Sequence, residues 1–402
     1  MKKMRTSPWI PALAMVLHLL PQPLASQSVP VVTWQGEIRP RAEQRKPVEG
    51  GWESFVSMRT RIAAHVRMEG GLGLFFQLQD VRTWGEEAGV RDRSADNMDF
   101  HQAYLEVGEL PAVGGLMRAG RQEVDIAESR LMGAPNWGQG GQTFDGARWI
   151  RPAGDHRFEL VALRIAESST PAHQESSDFL AAWYHLPEAA GGTADLFLVH
   201  DRVTGSPETS QSSLGGVWKR SLSPFDFTLQ GIYQTGTREG LDVEASLISA
   251  QGTLNLANDA ASVTLWYDRL SGDDDLEDDV TKAFTTLYGA RNRYYGRADY
   301  FLDIPGNTRG LGLLDAALKL SWTPRRELRV NLDLHAFRTS RQGNLGSQRL
   351  GEELDGWVRL RAREHLTLQA GYSVVWGGPG MEALELLTGN GYFGYFMTSL
   401  RF

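Results

Sequence analysis

The stretch FVSMRTRIAAHVRM, residues 55–68, alternates apolar side chains with basic ones. Its even positions are mostly apolar, whereas Arg59 and Arg61 fall at odd positions. Successive residues of a β-strand point to opposite sides, so we expect a strand with one apolar face and one basic face. The pattern recurs in residues 327–337 and 355–363, which indicates the same kind of strand near the end of the chain.

Segments of this kind, each about ten residues long, follow one another along most of the chain, separated by turn-forming residues. They number about eighteen, an even number, as closed bacterial barrels require. They are residues 34–44, 55–68, 72–82, 98–108, 115–124, 143–151, 156–166, 178–186, 193–202, 211–220, 224–235, 242–255, 259–270, 311–322, 327–339, 351–363, 366–376 and 391–402. The sequence therefore predicts an all-β fold, a single closed antiparallel transmembrane β-barrel of about 18 strands.

The connections between the segments alternate in length. A soluble β-sandwich shows the same alternation of side chains, so loop length is what separates the two architectures. The short connections include 69–71, 152–155, 221–223, 257–258, 323–326 and 364–365. The long connections include 83–97, 125–142, 167–177, 271–310 and 377–390. Short periplasmic turns opposite long extracellular loops are typical of outer-membrane barrels.

Residues 1–28 have the features of a secretory signal peptide. Lys3 and Arg5 precede an apolar run over residues 9–20, and small residues follow it. A transmembrane anchor is the alternative, but a spanning helix needs about twenty apolar residues and this run is shorter. We therefore expect a cleaved signal peptide, with residues 29–402 forming one outer-membrane β-barrel domain.

Composition limits the other possibilities. The chain has no cysteine, which excludes disulfides and thiolate chemistry. Its formal net charge of -8 argues against nucleic-acid binding. Beyond the N-terminal segment no apolar run approaches the length of about 18 residues that a membrane-spanning helix needs. A membrane protein with this sequence must therefore span the bilayer with strands.

The last strand segment ends in an aromatic side chain. Tyr392, Phe396, Leu400 and Phe402 fall on one face of residues 391–402. A terminal phenylalanine on such a strand resembles the sorting signature of outer-membrane barrels, although an aromatic core strand has the same pattern. We expect the protein to lie in the outer membrane of a Gram-negative-type bacterium, in contact with lipid and lipopolysaccharide.

Four motifs follow one another between residues 120 and 148. They are Gly120-Arg121-Gln122-Glu123, Arg130-Leu131-Met132-Gly133, Asn136-Trp137 with Gln139, and Thr143-Phe144-Asp145-Gly146-Ala147-Arg148. Together with residues 34–41, 76–85 and 286–315, they resemble the alginate export family of outer-membrane barrels. The resemblance implies a passive, arginine-lined conduit for an anionic polysaccharide.

The segment 125–142 is rich in glycine and too long for a hairpin turn. A loop of this kind can fold into the lumen and narrow it, because functional sites favour loops held on rigid scaffolds. A solvated extracellular loop is the alternative from the residues alone, and the family resemblance favours a constriction. The candidate constriction residues are Gly133, Asn136, Trp137 and Gln139.

Arginine is the candidate residue type for the substrate pathway. Guanidinium stays charged and pairs bidentately with carboxylate, so many weak sites would concentrate an organic anion without trapping it. The candidates are Arg39, Arg41, Arg59, Arg61, Arg67, Arg118, Arg121, Arg130, Arg148, Arg359, Arg361 and Arg363. For each of them, an ion pair with a nearby carboxylate is the alternative.

Other kinds of site have weaker support. Residues 273–279 are acidic and offer oxygen ligands for calcium, but the spacing is not that of an EF-hand loop and such runs are usually solvated. Apart from this candidate we expect no metal and no cofactor. No motif selects a catalytic serine or histidine, so we expect no catalytic residue and no enzyme.

A channel is therefore the leading hypothesis. It would export an anionic, alginate-like polysaccharide, with periplasmic export partners. The main alternative is a general porin, or an anion- or sugar-selective porin, for small solutes. An outer-membrane enzyme and an adhesive barrel that binds through residues 271–310 remain as further alternatives. Eight strands fill a lumen with side chains whereas about 16–18 leave room for water, so the strand number favours a channel.

Overall fold

The computed structural model of the chain describes residues 29–46, 51–86, 98–167, 176–205, 207–275 and 277–402. The strands are β1 (Val31–Lys46), β2 (Glu53–Arg67), β3 (Leu72–Thr83), β4 (Met98–Val107), β5 (Leu116–Gln122), β6 (Phe144–Ala153), β7 (His156–Glu167), β8 (Ser176–Ala189), β9 (Gly192–Val203), β10 (Thr209–Leu222), β11 (Phe225–Arg238), β12 (Leu241–Leu256), β13 (Ala261–Leu270), β14 (Val280–Thr281), β15 (Leu313–Arg325), β16 (Leu328–Arg338), β17 (Arg349–Arg361), β18 (Leu366–Gly377) and β19 (Asn390–Arg401). A short helix, α1 (Pro379–Ala383), and three 3-10 turns (Glu69–Gly71, Arg291–Arg293 and Gly306–Thr308) are the helical elements described. None of the described helices is both long and apolar enough to cross a membrane. The predicted signal peptide, residues 1–28, lies outside the described residues.

The long strands form one closed antiparallel barrel. Each pairs with its neighbours in sequence, β13 pairs directly with β15, and β1 pairs with both β2 and β19. At the closing seam Ile38 lies opposite Leu400 and Ala42 lies opposite Phe396. The two-residue strand β14 adds only a short parallel pairing to β12. The predicted barrel of 18 strands is therefore confirmed, with some strand bounds shifted by a few residues.

Side chains alternate between the two faces of the barrel wall. In β11, Leu229 and Tyr233 are about half exposed on the outside, whereas Gln230 and Gln234 are buried on the inside. Further exposed apolar side chains include Ile62, Leu196, Leu198, Leu214, Ile248, Leu265, Leu332 and Leu334. The outer face is therefore an apolar surface suited to lipid, as the alternation in the sequence predicts.

The two ends of the barrel differ in loop length. At one end, two residues each join β6 to β7, β8 to β9 and β10 to β11. At the other end, residues 123–143, 271–312 and 378–389 form long connections. At the long-loop end the connections 47–52, 204–208 and 239–240 are shorter, and at the short-turn end the connection 108–115 has eight residues. Apart from these connections, the predicted alternation of short turns and long loops is confirmed.

Two of the long connections fold into the barrel. Loop A is residues 123–143, which includes the predicted constriction segment, and loop B is residues 271–312. The amide of Gln234, which faces inward, donates to the backbone oxygen of Thr285 in loop B at 3.0 Å. The sequence alone predicts only an extracellular loop at 271–310. The structure turns this loop inward because aromatic side chains such as Phe284 become buried there.

The inner wall has an apolar part and a charged part. Inward-facing residues of β7 to β12 that pack in the hydrophobic core are Val161, Phe179, Val199, Val217, Ile232 and Leu247. Loops A and B cover them with Leu131, Met132, Phe284 and Tyr295. Across the lumen, the buried inward side chains of β1, β2, β16 and β17 include Glu37, Arg39, Arg59, Asp333 and Glu353. The two loops therefore fill the apolar side of the lumen, and charged side chains such as Asp333 of β16 and Asp355 of β17 face the remaining space.

Candidate functional site

The first half of loop A is a compact turn. The carboxylate of Asp125 accepts hydrogen bonds from the hydroxyl of Ser129 at 2.6 Å and from the backbone N–H of Ala134 at 3.0 Å. Residues 127–129 all have positive φ, a backbone conformation that costs energy in residues other than glycine. The Asp125 contacts hold the turn in this shape.

Backbone hydrogen bonds join loop A to loop B. The N–H of Gly133 donates to the oxygen of Tyr288 at 3.1 Å, and the N–H of Tyr288 donates to the oxygen of Leu131 at 2.9 Å. A third bond runs from the N–H of Ala290 to the oxygen of Ser129 at 2.8 Å. The two loops therefore form one body inside the barrel.

Four arginines of β1 and β2 hold the second half of loop A. We call Arg39, Arg41, Arg59 and Arg61 the arginine clamp; all four are buried. They donate to backbone or side-chain oxygens of residues 136–140. The predicted constriction segment thus lies within the lumen, pinned to the charged wall by its carbonyl groups.

Arg39 differs from the rest of the clamp in its partners. Its Nε donates to Oε1 of Gln139 at 3.0 Å, and its terminal nitrogens donate to backbone oxygens of residues 136–138. Among the described residues it forms no ion pair. The others each pair with a carboxylate: Arg41 with Glu43, Arg59 with Glu37, and Arg61 with Glu123. Neutral oxygens of loop A are therefore the acceptors for every hydrogen bond that the Arg39 side chain makes among these residues.

The predicted constriction residues have separate contacts. Gln139 donates to the oxygen of Arg39 and to the hydroxyl of Ser57, at 3.2 and 3.1 Å. The ring of Trp137 lies edge-on to Tyr395, with 4.8 Å between centroids. Gly133 lies against loop B, and its neighbour Asn136 bonds to the clamp. All four residues of the prediction therefore contact the barrel wall or loop B.

Arg130 lies apart from the clamp, on the other side of loop A. Its guanidinium pairs with Asp268 at 2.6 Å and lies over the ring of Tyr294, 3.5 Å from the centroid. It also donates to the hydroxyl of Tyr295 at 2.8 Å. Burial works against the charged form, but Asp268 and the two tyrosines hold the pKa of Arg130 above its usual range. Arg130 therefore anchors loop A to β13 as a buried charged pair.

The remaining predicted arginines form two groups. Arg118 pairs with Glu106 at 2.7 Å, Arg121 with Asp145 at 2.8 Å, and Arg148 with Glu159. Arg67, Arg359, Arg361 and Arg363 are exposed at the short-turn end, and no ion pair links them to other described residues. Guanidinium groups of this second group are thus available to solutes at that mouth of the barrel.

A cavity of about 560 Å³ lies between the two loops and β15 to β17. Its most distinctive residue, Arg297 of loop B, was not predicted from the sequence. The Arg297 guanidinium lies 3.7 Å from the ring centroid of Trp357 and 5.5 Å from that of Trp137. Loop B has no strand periodicity over this stretch, so no signal in the sequence indicated that Arg297 would reach the lumen.

The other candidate sites gain no support from the described residues. In the acidic segment, Asp273 accepts backbone N–H bonds from Asp275 and Lys282, and Asp278 pairs with Lys282 at 3.2 Å. No cluster of three or more acidic or histidine side chains among the described residues is placed to hold a metal ion. His200 bonds to Ser212 at 3.0 Å, but none of the described histidines is hydrogen-bonded to both a serine and a carboxylate.

Comparison with known proteins gives a family and a fold. The family model described as alginate export matches residues 32–385. Among solved structures, Pseudomonas aeruginosa OccK3 (OpdO) is 13% identical, with 92% of this chain and 95% of that chain covered and a TM-score of 0.63. The outer membrane protein OprD of the same organism is 10% identical, with 92% and 94% covered and a TM-score of 0.63. OpdK, whose structure was solved with vanillate, is 10% identical, with 92% and 98% covered and a TM-score of 0.60. No curated protein matches the sequence.

Proposed function

This chain belongs to the alginate export family of outer-membrane barrels, and from that premise we propose that it is a passive channel for an anionic polysaccharide. That it is an outer-membrane channel follows from the family and the fold together. The proposal is that the solute is an anionic polysaccharide and that arginine side chains attract it. It rests on the charge of these side chains and on their position in the lumen.

The observation that carries the proposal is the group of exposed arginines at the short-turn mouth. Arg359 and Arg361 alternate along β17 on the same face as Asp355, whose side chain lines the cavity. Neither has an ion-pair partner among the described residues. Arg363 follows in the next turn. Unpaired guanidinium groups attract carboxylates and bind them bidentately, so this mouth would gather a polyuronate chain.

We assign the arginine clamp a different role from that of the exposed arginines at the short-turn mouth. The donors of the clamp are taken up by loop A and by Glu37, Glu43 and Glu123. The clamp would therefore fix the width of the constriction, and the mouth arginines with Arg297 would provide weak, successive sites for the polymer. Weak sites in series allow a charged solute to enter and to leave.

A second candidate, a porin for small anionic solutes, is favoured by the size of the cavity. A volume of about 560 Å³ is in the range of small-molecule sites. OpdK is described with vanillate, a small carboxylate, and shares the fold at low identity. Flux into liposomes separates the candidates: a channel for polymer passes oligouronate, whereas a small-solute porin passes only the monomer.

Replacing both Arg359 and Arg361 with glutamine tests whether the exposed arginines at the short-turn mouth attract anions. The double variant should lower anion preference, because two cations leave the pathway, and the reversal potential under a salt gradient should move toward zero. Arg349→Gln is the control, since Arg349 lies at the opposite end of β17 and pairs with Glu352. An unchanged reversal potential in the double variant would remove these arginines from the pathway.

A further inference from the structure

Loop B presents Arg297 from a fixed backbone. The N–H groups of Arg297 and Ala298 donate to Oε1 of Glu353 at 2.7 and 2.8 Å, and Glu353 is fully buried in β17. Gly296 has a φ of 80°, in the left-handed region, and a Cβ there would lie 2.3 Å from Oε2 of Glu353. Glycine therefore lets the loop approach the carboxylate, which sets the position of the next residue.

The Arg297 guanidinium lies close to two aromatic rings. It lies over Trp357, 3.7 Å from the ring centroid, with Trp137 at 5.5 Å. Stacking on an aromatic ring occupies the flat face of a guanidinium and leaves its N–H edge open. Among the described residues, none accepts a hydrogen bond from this side chain or forms an ion pair with it. The N–H groups of the Arg297 guanidinium therefore have no acceptor among the described residues, and they are available to a ligand in the cavity.

Asp333 lines the same cavity from β16. Its nearest cation is Lys319, with 3.6 Å between Nζ and Oδ2, and no hydrogen bond joins the Asp333 carboxylate to another described side chain. Lys319 itself lies 4.5 Å from the ring centroid of Trp266. The cavity thus offers a cationic donor edge and a carboxylate acceptor together.

We infer that Arg297 and Asp333 form a binding subsite for a hydroxylated carboxylate, such as one sugar-acid unit. Arg297 would bind the carboxylate bidentately, and Asp333 would accept a hydrogen bond from a hydroxyl group of the same unit. A simple carboxylate lacks the hydroxyl and a neutral sugar lacks the charge, so each satisfies only half of the subsite. The inference rests on the proposed transport of anions and names the chemical unit that the cavity recognises.

Block of single-channel current by glucuronate, propionate and glucose tests the subsite in the refolded full-length barrel. Glucuronate should block at the lowest concentration. Arg297→Gln should raise its half-blocking concentration about tenfold, equivalent to about 1.4 kcal/mol. Arg297→Lys should recover only part of this loss, because ammonium neither stacks flat nor binds bidentately. Arg349→Gln, outside the cavity, should leave block unchanged.

Asp333→Asn tests the hydroxyl contact separately. The ratio of the half-blocking concentrations of propionate and glucuronate should fall about fivefold, because a charged acceptor binds a hydroxyl more strongly than an amide does. Gly296→Ala, which changes no charge, should weaken glucuronate block by shifting Arg297. Equal block by glucuronate and propionate in an anion-selective wild-type channel would overturn the subsite alone, whereas a wild-type channel without anion preference would overturn the proposed function.

Discussion

Arginine side chains in this lumen are divided by their partners. Those of the clamp bond to the carbonyl groups of loop A, those of β5 and β6 pair with carboxylates, and those of the mouth are exposed. The strand alternation predicts which arginines face inward, because side-chain direction depends only on local geometry. It does not predict their partners, since Gln139 lies 100 residues from Arg39 in a segment without periodicity.

Arg39→Ala should release loop A without removing an ion pair. Hydrogen bonds with a charged partner each contribute about 1.5–3 kcal/mol, so the loop contact should weaken by at least about 3 kcal/mol. Single-channel conductance should increase, with more frequent current fluctuations. Arg121→Ala is the matched control, because that arginine pairs with Asp145 near the exposed surface. A variant with wild-type conductance would show that the clamp does not set the constriction.

Asp299 of loop B should make the contact between the loop and the wall depend on pH. Burial raises the pKa of Asp299 to about 7, although Arg45 and Arg41 oppose the rise and Glu43 supports it. A raised carboxyl pKa stabilises the folded contact at low pH, and this stabilisation is lost as the pH rises through about 7.

The conductance of the wild-type channel should therefore be lower at about pH 6 than at about pH 8, as the protonated form keeps the contact closed. Asp299→Asn mimics the protonated carboxyl and should abolish the difference. Identical pH profiles of the wild type and the Asn variant would show that another group titrates.

At the scale of elements, the strands were predictable and the inward fold of loop B was not. Each of the eighteen long strands has its counterpart in the alternating segments, because one face of every strand must be apolar. Loop B carries Phe284 and Tyr295, but a sequence without repeat or period does not indicate which surface will bury them. Its position depends on contacts with loop A and with the apolar wall, all distant in the chain.

Gly289→Ala should separate loops A and B. A Cβ at this position would lie 2.3 Å from the backbone oxygen of Arg130, so backbone atoms must move, at a cost of about 1–3 kcal/mol. We expect higher conductance with unchanged ion selectivity, because no charge is altered. Gly138→Ala is the control within loop A, since its Cβ would meet no atom within 4 Å. Equal conductance in the two variants would contradict a role for the contact between the loops.

The whole molecule is a closed barrel whose interior is only partly open. The apolar wall of β7 to β12 supports both loops, the arginine clamp of β1 and β2 holds loop A, and charged side chains of β15 to β17 border the remaining space. Barrel closure, strand number and the likeness to a family were accessible from the sequence. The division of the lumen was not, because it results from long-range packing of two loops.

The most direct test is to reconstitute the refolded barrel in a planar bilayer and to record reversal potential under a salt gradient, with and without oligouronate. We expect anion-selective current steps that oligouronate blocks at low concentration. Cation-selective steps, or steps that oligouronate does not affect, would show that the arginines of this lumen do not conduct a polyanion.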